Sequence, residues 1–187
     1  INSEEILWLL GAIIFTSLSV IVNAYAWKLL ITNIVSNTKN LNIVKLFLTT
    51  NIYKYLPGGI WHFVSRYNTL RFEFSTHKSI ESILLEPLLM LVSGLIFIPF
   101  GGLNIYVFIL CWSSTLVFLP VFRKFLIKKL KVFKANIFTN NDHLFGIDLT
   151  QDNQNIPIKM LYPYRSLFVE IVFVLFRFLG FLCCMNA

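Results

Sequence analysis

Of the 187 residues, 57% are hydrophobic and 16% aromatic while 13% are charged, and the mean hydropathy is +0.72. A water-soluble domain is about a quarter charged and at most about half apolar, so the composition excludes one and predicts an all-α integral membrane protein, a multi-pass helical bundle. At about 20 residues per crossing, the chain has room for about four or five passes with their loops, all within one membrane domain spanning 1–187. The net charge of +7 then concerns orientation, because Lys and Arg collect at cytoplasmic span ends. Nucleic acid is not needed to explain it.

Residue 1 is Ile rather than Met, and the last apolar run reaches almost to Ala187, a pattern expected of a fragment of a longer protein. The first apolar segment, about 6–28, follows Glu4 and Glu5 and ends at Lys28. Ala24-Tyr25-Ala26 imitates a signal-peptidase site, yet the basic start is missing and the apolar stretch is too long, so a retained span is expected. Ala12, Thr16, Ser19 and Asn23 recur at helical spacing. Such a stripe of small and weakly polar residues lets membrane helices approach closely and should face protein.

The segment 42–72 is apolar but interrupted by Lys45, Lys54 and Pro57-Gly58-Gly59. Proline removes a backbone donor and pushes Leu56 out of the helical region, and the glycines permit a turn. Two half-helices, roughly 42–56 and 60–72, are expected to meet there in a re-entrant hairpin, covered by protein or water. Spans at about 80–100, capped by Ser79, and 103–122 follow, joined at Gly101-Gly102. A basic run (Arg123, Lys124, Lys128, Lys129, Lys131, Lys134) opens a cytoplasmic loop over 123–163, rich in Asn, Asp and Gln, before a last span at about 164–187. If 42–72 dips in and returns, Lys28, Lys39, Lys45, Arg66, Arg71, Lys78, the basic run, Lys159 and Arg165 share one side and Glu4 and Glu5 the other. The positive-inside rule favours that path in a cell membrane, with the first residues outside.

Cys111, Cys183 and Cys184 lie in apolar runs without His or Asp at ligand spacing, so packing is expected rather than a zinc site or a disulfide framework. The stretch 54–66 concentrates chemistry: Lys54, the break, then His62 and Arg66 on one helix face. A half-helix starting near Gly59 would aim free N–H groups and its positive dipole end at the break. With Lys54, Gly58, Gly59, His62 and Arg66 this makes an anion site, for which a lipid phosphate is the obvious occupant. Half-helix termini aimed at a substrate are a transporter device. The competing reading is a kinked interfacial helix whose cations reach to headgroups.

Glu86, next to Pro87 within a span, must find a cation or a proton, with Lys54 or Arg66 as candidates. Arg177 in the last span poses the same problem, with Glu170 two turns earlier. Both Glu86 and Arg177 are expected to face the protein interior, binding a substrate or pairing with other charges. Glu73, His77 and Glu81 are expected in a solvated connection. No catalytic constellation emerges: phosphate loops, paired carboxylates beside a nucleophile and metal-spaced histidines are missing from the sequence, and Ser65 near His62 lacks an orienting acid. No cofactor or metal is expected.

The 54–66 stretch resembles the Lys-Tyr-x-Pro-Gly…Arg signature of the lysylphosphatidylglycerol synthase transmembrane region, a flippase-like family of multi-pass membrane proteins. Asn23 and Trp27, the Glu86 helix, and Pro163 with Arg177 support the resemblance, which extends over most of the chain, while Ser65 stands where the family often has Gly. The resemblance implies a helical membrane domain that binds or translocates lipid, with an anionic phospholipid or polyprenyl-phosphate lipid as partner in lipid or cell-envelope glycan metabolism. No aminoacyl-transfer domain is visible, so synthase activity does not carry over. Two alternatives stand beside it. One is a scaffold subunit for a membrane glycosyltransferase or synthase; the other is an enzyme on lipid-linked sugars using His62 and Glu86 as acid and base.

Overall fold

The computed structural model describes residues 3–35, 41–101, 105–119 and 162–187. The basic run 123–134, the rest of the 123–163 loop up to 161, Lys39, Lys159 and Gly102 lie outside the described residues. Among the described residues 89% are helical and none lies in a strand. Three of the described helices are long and apolar enough to cross a membrane: Ser3–Ile34, Lys78–Phe97 within a slightly longer helix, and Tyr164–Met185.

Helix α1 (Ser3–Ile34) opens with Glu4 and Glu5 at its positive dipole end and extends beyond the expected 6–28 segment at both ends. Its Leu7, Leu10, Ile13, Ile14 and Ile21 are exposed, while Ala12, Ser19, Asn23 and Ala24 are buried. The buried stripe packs on the last helix, α6 (Tyr164–Met185), which runs antiparallel to it. Gly180 makes the approach possible: a Cβ there would sit 3.0 Å from Thr16 Cγ2 and 3.5 Å from both Phe15 Cβ and the Ala12 carbonyl. Phe15 and Phe176 stack beside it, with ring centroids 6.2 Å apart.

The 42–72 segment is broken where the sequence places the break. Helix α2 (Ile43–Asn51) is capped by Asn42 Oδ1, which accepts from Lys45 N at 3.1 Å, and tightens into a 3-10 turn over Ile52–Tyr55. Leu56 is extended, as its proline neighbour requires. Gly58 and Gly59 take φ of +95° and +64°, values that a side chain disfavours. Trp61 Nε1 donates to the Pro57 carbonyl at 2.7 Å and staples the turn. Helix α3 (Trp61–Glu73) then starts without a side-chain cap at Ile60.

Helix α4 (Thr76–Phe97) begins at Ser75 rather than at the expected Ser79 cap, so Ser79 is a buried helical residue. That earlier start carries Glu81 into the protein at 1% exposure, correcting the solvated expectation, whereas Glu73 is exposed as expected. Pro87 sits inside α4 on an exposed face.

The expected 103–122 span is described only in part. Its described part is a short helix α5 (Ile105–Ser113) passing into a 3-10 turn over Ser114–Phe118. The Ser113, Ser114 and Thr115 hydroxyls each donate to the carbonyl three residues back, a local competition that tightens the backbone. Residues 103–104 and 120–122 lie outside the described residues.

All three cysteines are free; Cys111 and Cys183 are buried, but Cys184 is exposed because α6 turns its packed face away at that position.

Buried polar side chains gather inside, among them Asn23, Thr50, His62, Arg66, Glu81, Glu86, Ser93 and Glu170, while large apolar side chains cover the outside. The rest of the core is apolar, with Trp27, Leu30, Phe47, Leu70 and Leu89 among it, and so many large apolar side chains on the outside as well are compatible with a membrane location.

Candidate functional site

Helices α1, α2, α3 and α4 meet at Arg66, which is 0% exposed. Helix α3 brings it there because His62, Arg66 and Leu70 share one face at four-residue spacing, and all three are buried. Its Nη1 donates to Glu86 Oε2 in a buried ion pair with α4. Its Nε donates to Thr50 Oγ1 of α2 at 2.9 Å, and Thr50 in turn donates to the Leu46 carbonyl at 2.7 Å. The guanidinium carbon also lies 4.8 Å from the Trp27 ring centroid and 4.1 Å from that of Phe47. Both rings present π faces to the cation, so the charge is held by a carboxylate, a hydroxyl and two aromatics. Arg66 Nη2 has no hydrogen-bond partner.

Burial of this pair follows from what each side would cost alone. An unpaired charge in a low-dielectric interior costs several kcal/mol, so Glu86 at 4% exposure and Arg66 each require the other. Of the two cations open to Glu86, the structure seats Arg66 against it. Arg66 lies in the interior, on the buried face of α3 with His62 and Leu70 and against the carboxylate on α4.

Lys54 lies just before the break, half-buried, with Nζ 5.8 Å from the Phe47 ring centroid. It is within Coulombic range of Glu86, Arg66, Arg177 and Glu170. His62 is buried one turn before Arg66, within range of both Lys54 and Arg66, and its ring lies 3.8 Å from that of Phe63. Gly58 and Gly59 are exposed at the mouth of this group; a Cβ on Gly59 would have nothing within 4 Å. The structure thus brings Lys54, His62, Arg66 and Glu86 into one group under the glycine turn.

Arg177 does not join the interior. It is exposed, with its guanidinium 5.9 Å from the Phe173 ring centroid. Phe173 and Gly180 occupy the buried face of α6 on either side, and the long Arg side chain carries its charge outward. Glu170 is the buried ionisable group of α6, at 2% exposure.

Sequence reasoning passed over Thr50, Phe47 and Trp27 as holders of Arg66. The available signal was weak: Thr50 is one of many hydroxyl residues, and its alignment with Arg66 depends on how α2 folds against α3. No protein-family model, curated protein or solved structure matches this chain.

Proposed function

We propose that the chain is a multi-pass membrane domain of flippase-like type that binds a phosphate-bearing lipid, with 42–72 as a re-entrant hairpin carrying the headgroup site. One observation carries the reading: α3 opens uncapped at a positive-φ glycine pair, and the same helix leads inward to a buried guanidinium with a free donor. The two halves are short, as a dip requires. At about 1.5 Å per residue neither α2 nor α3 reaches the roughly 30 Å of a bilayer core.

In this reading Lys54 supplies the first positive charge to the phosphate, and the backbone at Gly58 and Gly59 approaches it closely. His62 and the Nη2 of Arg66 lie deeper, where they meet a headgroup that has entered. Glu86 keeps Arg66 in place and offsets its charge, so the site attracts one anion without trapping it. An anionic phospholipid and a polyprenyl-phosphate lipid share this chemistry.

The test is binding of a fluorescent anionic phospholipid to detergent-purified protein at low and high salt. Lys54→Gln and Gly59→Val should weaken binding by about tenfold or more at both salt levels, the size of one charge-assisted hydrogen bond. Lys28→Gln, at an exposed position of α1, should matter only at low salt, where screening is weak. Normal binding by Lys54→Gln together with its loss in Lys28→Gln at both salts would place the lipid elsewhere.

A further inference from the structure

Several buried polar atoms have no hydrogen-bond partner, among them Asn23 Oδ1 and Trp27 Nε1 on α1, Arg66 Nη2 on α3, and Ser166 Oγ and Glu170 Oε1 on α6. The contacts of Gly180 with Ala12, Phe15 and Thr16, and of Phe15 with Phe176, set the antiparallel register of α1 and α6. Carried along both helices at their common rise, that register puts Asn23 level with Glu170 and Trp27 level with Ser166. Other contacts agree with this level. Asn23 Nδ2 lies 4.0 Å from Met90 Sδ, one turn beyond Glu86 on α4, and Trp27 carries the Arg66 guanidinium on its ring.

Glu170 is 2% exposed and its Oε1 has no hydrogen-bond partner, a costly state for an ionised carboxylate, which can only accept. One proton resolves it, since a protonated carboxyl donates. Among the described residues, the charged groups in electrostatic range of Glu170 can be assigned by element. Helix α1 offers the uncharged Asn23; α4 offers Glu86, held by Arg66 of α3; the turn after α2 offers Lys54. Arg177, further along α6, is carried to the surface over Phe173. With Arg66 committed to Glu86, Lys54 is the cation that Glu170 shares with any incoming phosphate.

We propose that Glu170 is a proton-binding site coupled to the headgroup site: a lipid phosphate that takes Lys54 as its counter-ion leaves Glu170 to take a proton from water. The coupling rests on the headgroup reading above; the proton site itself does not. Phosphate binding and proton uptake then occur together, and release of either favours release of the other.

Two readouts on the full chain in lipid nanodiscs test the two parts separately. Infrared spectroscopy of lipid-ligand-free protein should show a protonated-carboxyl C=O band that grows as pH falls, is lost in Glu170→Gln and remains in Glu81→Gln. Gln is isosteric with the protonated acid, and the wild-type titration stands even if a variant folds poorly. A band that survives in Glu170→Gln, or no band at any pH, overturns the proton site. The second readout is binding of a fluorescent phosphodiester lipid, chosen because it lacks the second ionisation that a phosphomonoester has at about pH 6. Between the free and bound midpoints of Glu170 the wild-type Kd should rise about tenfold per pH unit, as uptake of one proton requires, and should be flat in Glu170→Gln. A flat wild-type profile overturns the coupling. Absence of lipid binding at every pH overturns the headgroup reading and the coupling with it, while the infrared band still decides Glu170 alone.

Discussion

Arg66 is as fully buried as any side chain among the described residues, and its partners come from three other helices. A buried ion pair contributes little net stability over a well-packed apolar pair, yet removing one member alone is severe, about 3–5 kcal/mol. Glu86→Gln should therefore lower the thermal stability of the detergent-purified protein by about that amount, whereas Glu73→Gln, at an exposed site, should stay within about 0.5 kcal/mol. The double variant Arg66→Leu/Glu86→Leu should recover most of the loss while abolishing lipid binding. Should the double variant melt as low as Glu86→Gln, the pair is needed for folding rather than retained for its chemistry. Arg66→Lys keeps a charge for Glu86 but loses the fork that also reaches Thr50. It should melt between the wild type and Glu86→Gln.

Glycines decide the elements, in three different ways. Gly180 is a close-approach residue, with Thr16 Cγ2 3.0 Å from where its Cβ would stand. Gly180→Leu should push α1 and α6 apart and cost about 1–3 kcal/mol through overpacking. Gly94 lies within α4 with nothing within 4 Å of its added Cβ. Gly94→Ala should be neutral or stabilise by up to about 1 kcal/mol, through helix propensity. Melting curves of the two variants check the contrast, and a reversed order would refute the α1–α6 packing. At Gly59 the constraint is conformational: space is open, but φ is +64°. Asn tolerates that region and Val does not, so Gly59→Asn should melt close to wild type and Gly59→Val should be lower by about 1–3 kcal/mol.

At the scale of the whole molecule, a polar cluster sits within an otherwise apolar core, large apolar side chains also cover the outside, and three of the described helices are of membrane-crossing length. The path of 42–72 sets on which side the loops fall. In the re-entrant arrangement, cysteines placed at Lys39 and Ser75 in a cysteine-free background should both label from the cytoplasmic side with a membrane-impermeant reagent. Labelling from opposite sides would make this segment a full crossing and reverse the orientation of everything after it.

Composition and periodicity were sufficient for the helical class, because apolar length and small-residue spacing are properties of a single segment. The break at Pro57-Gly58-Gly59 was equally legible, since proline and glycine act on their own backbone. The face shared by His62 and Arg66 followed from the helical period alone. Depth and partnership were another matter. Whether Glu81 meets water, whether Glu86 finds Arg66 or Lys54, and whether Arg177 turns inward depend on which helices pack where, and in sequence these carboxylates and cations look alike. The α5 region shows the same limit on a smaller scale, where adjacent hydroxyls donate to carbonyls three residues back as the helix passes into a 3-10 turn. Only the tertiary structure could choose among these outcomes, because a buried charge is stabilised by partners tens of residues away, and Thr50, Trp27 and Phe47 become the setting of Arg66 through packing that no local pattern encodes.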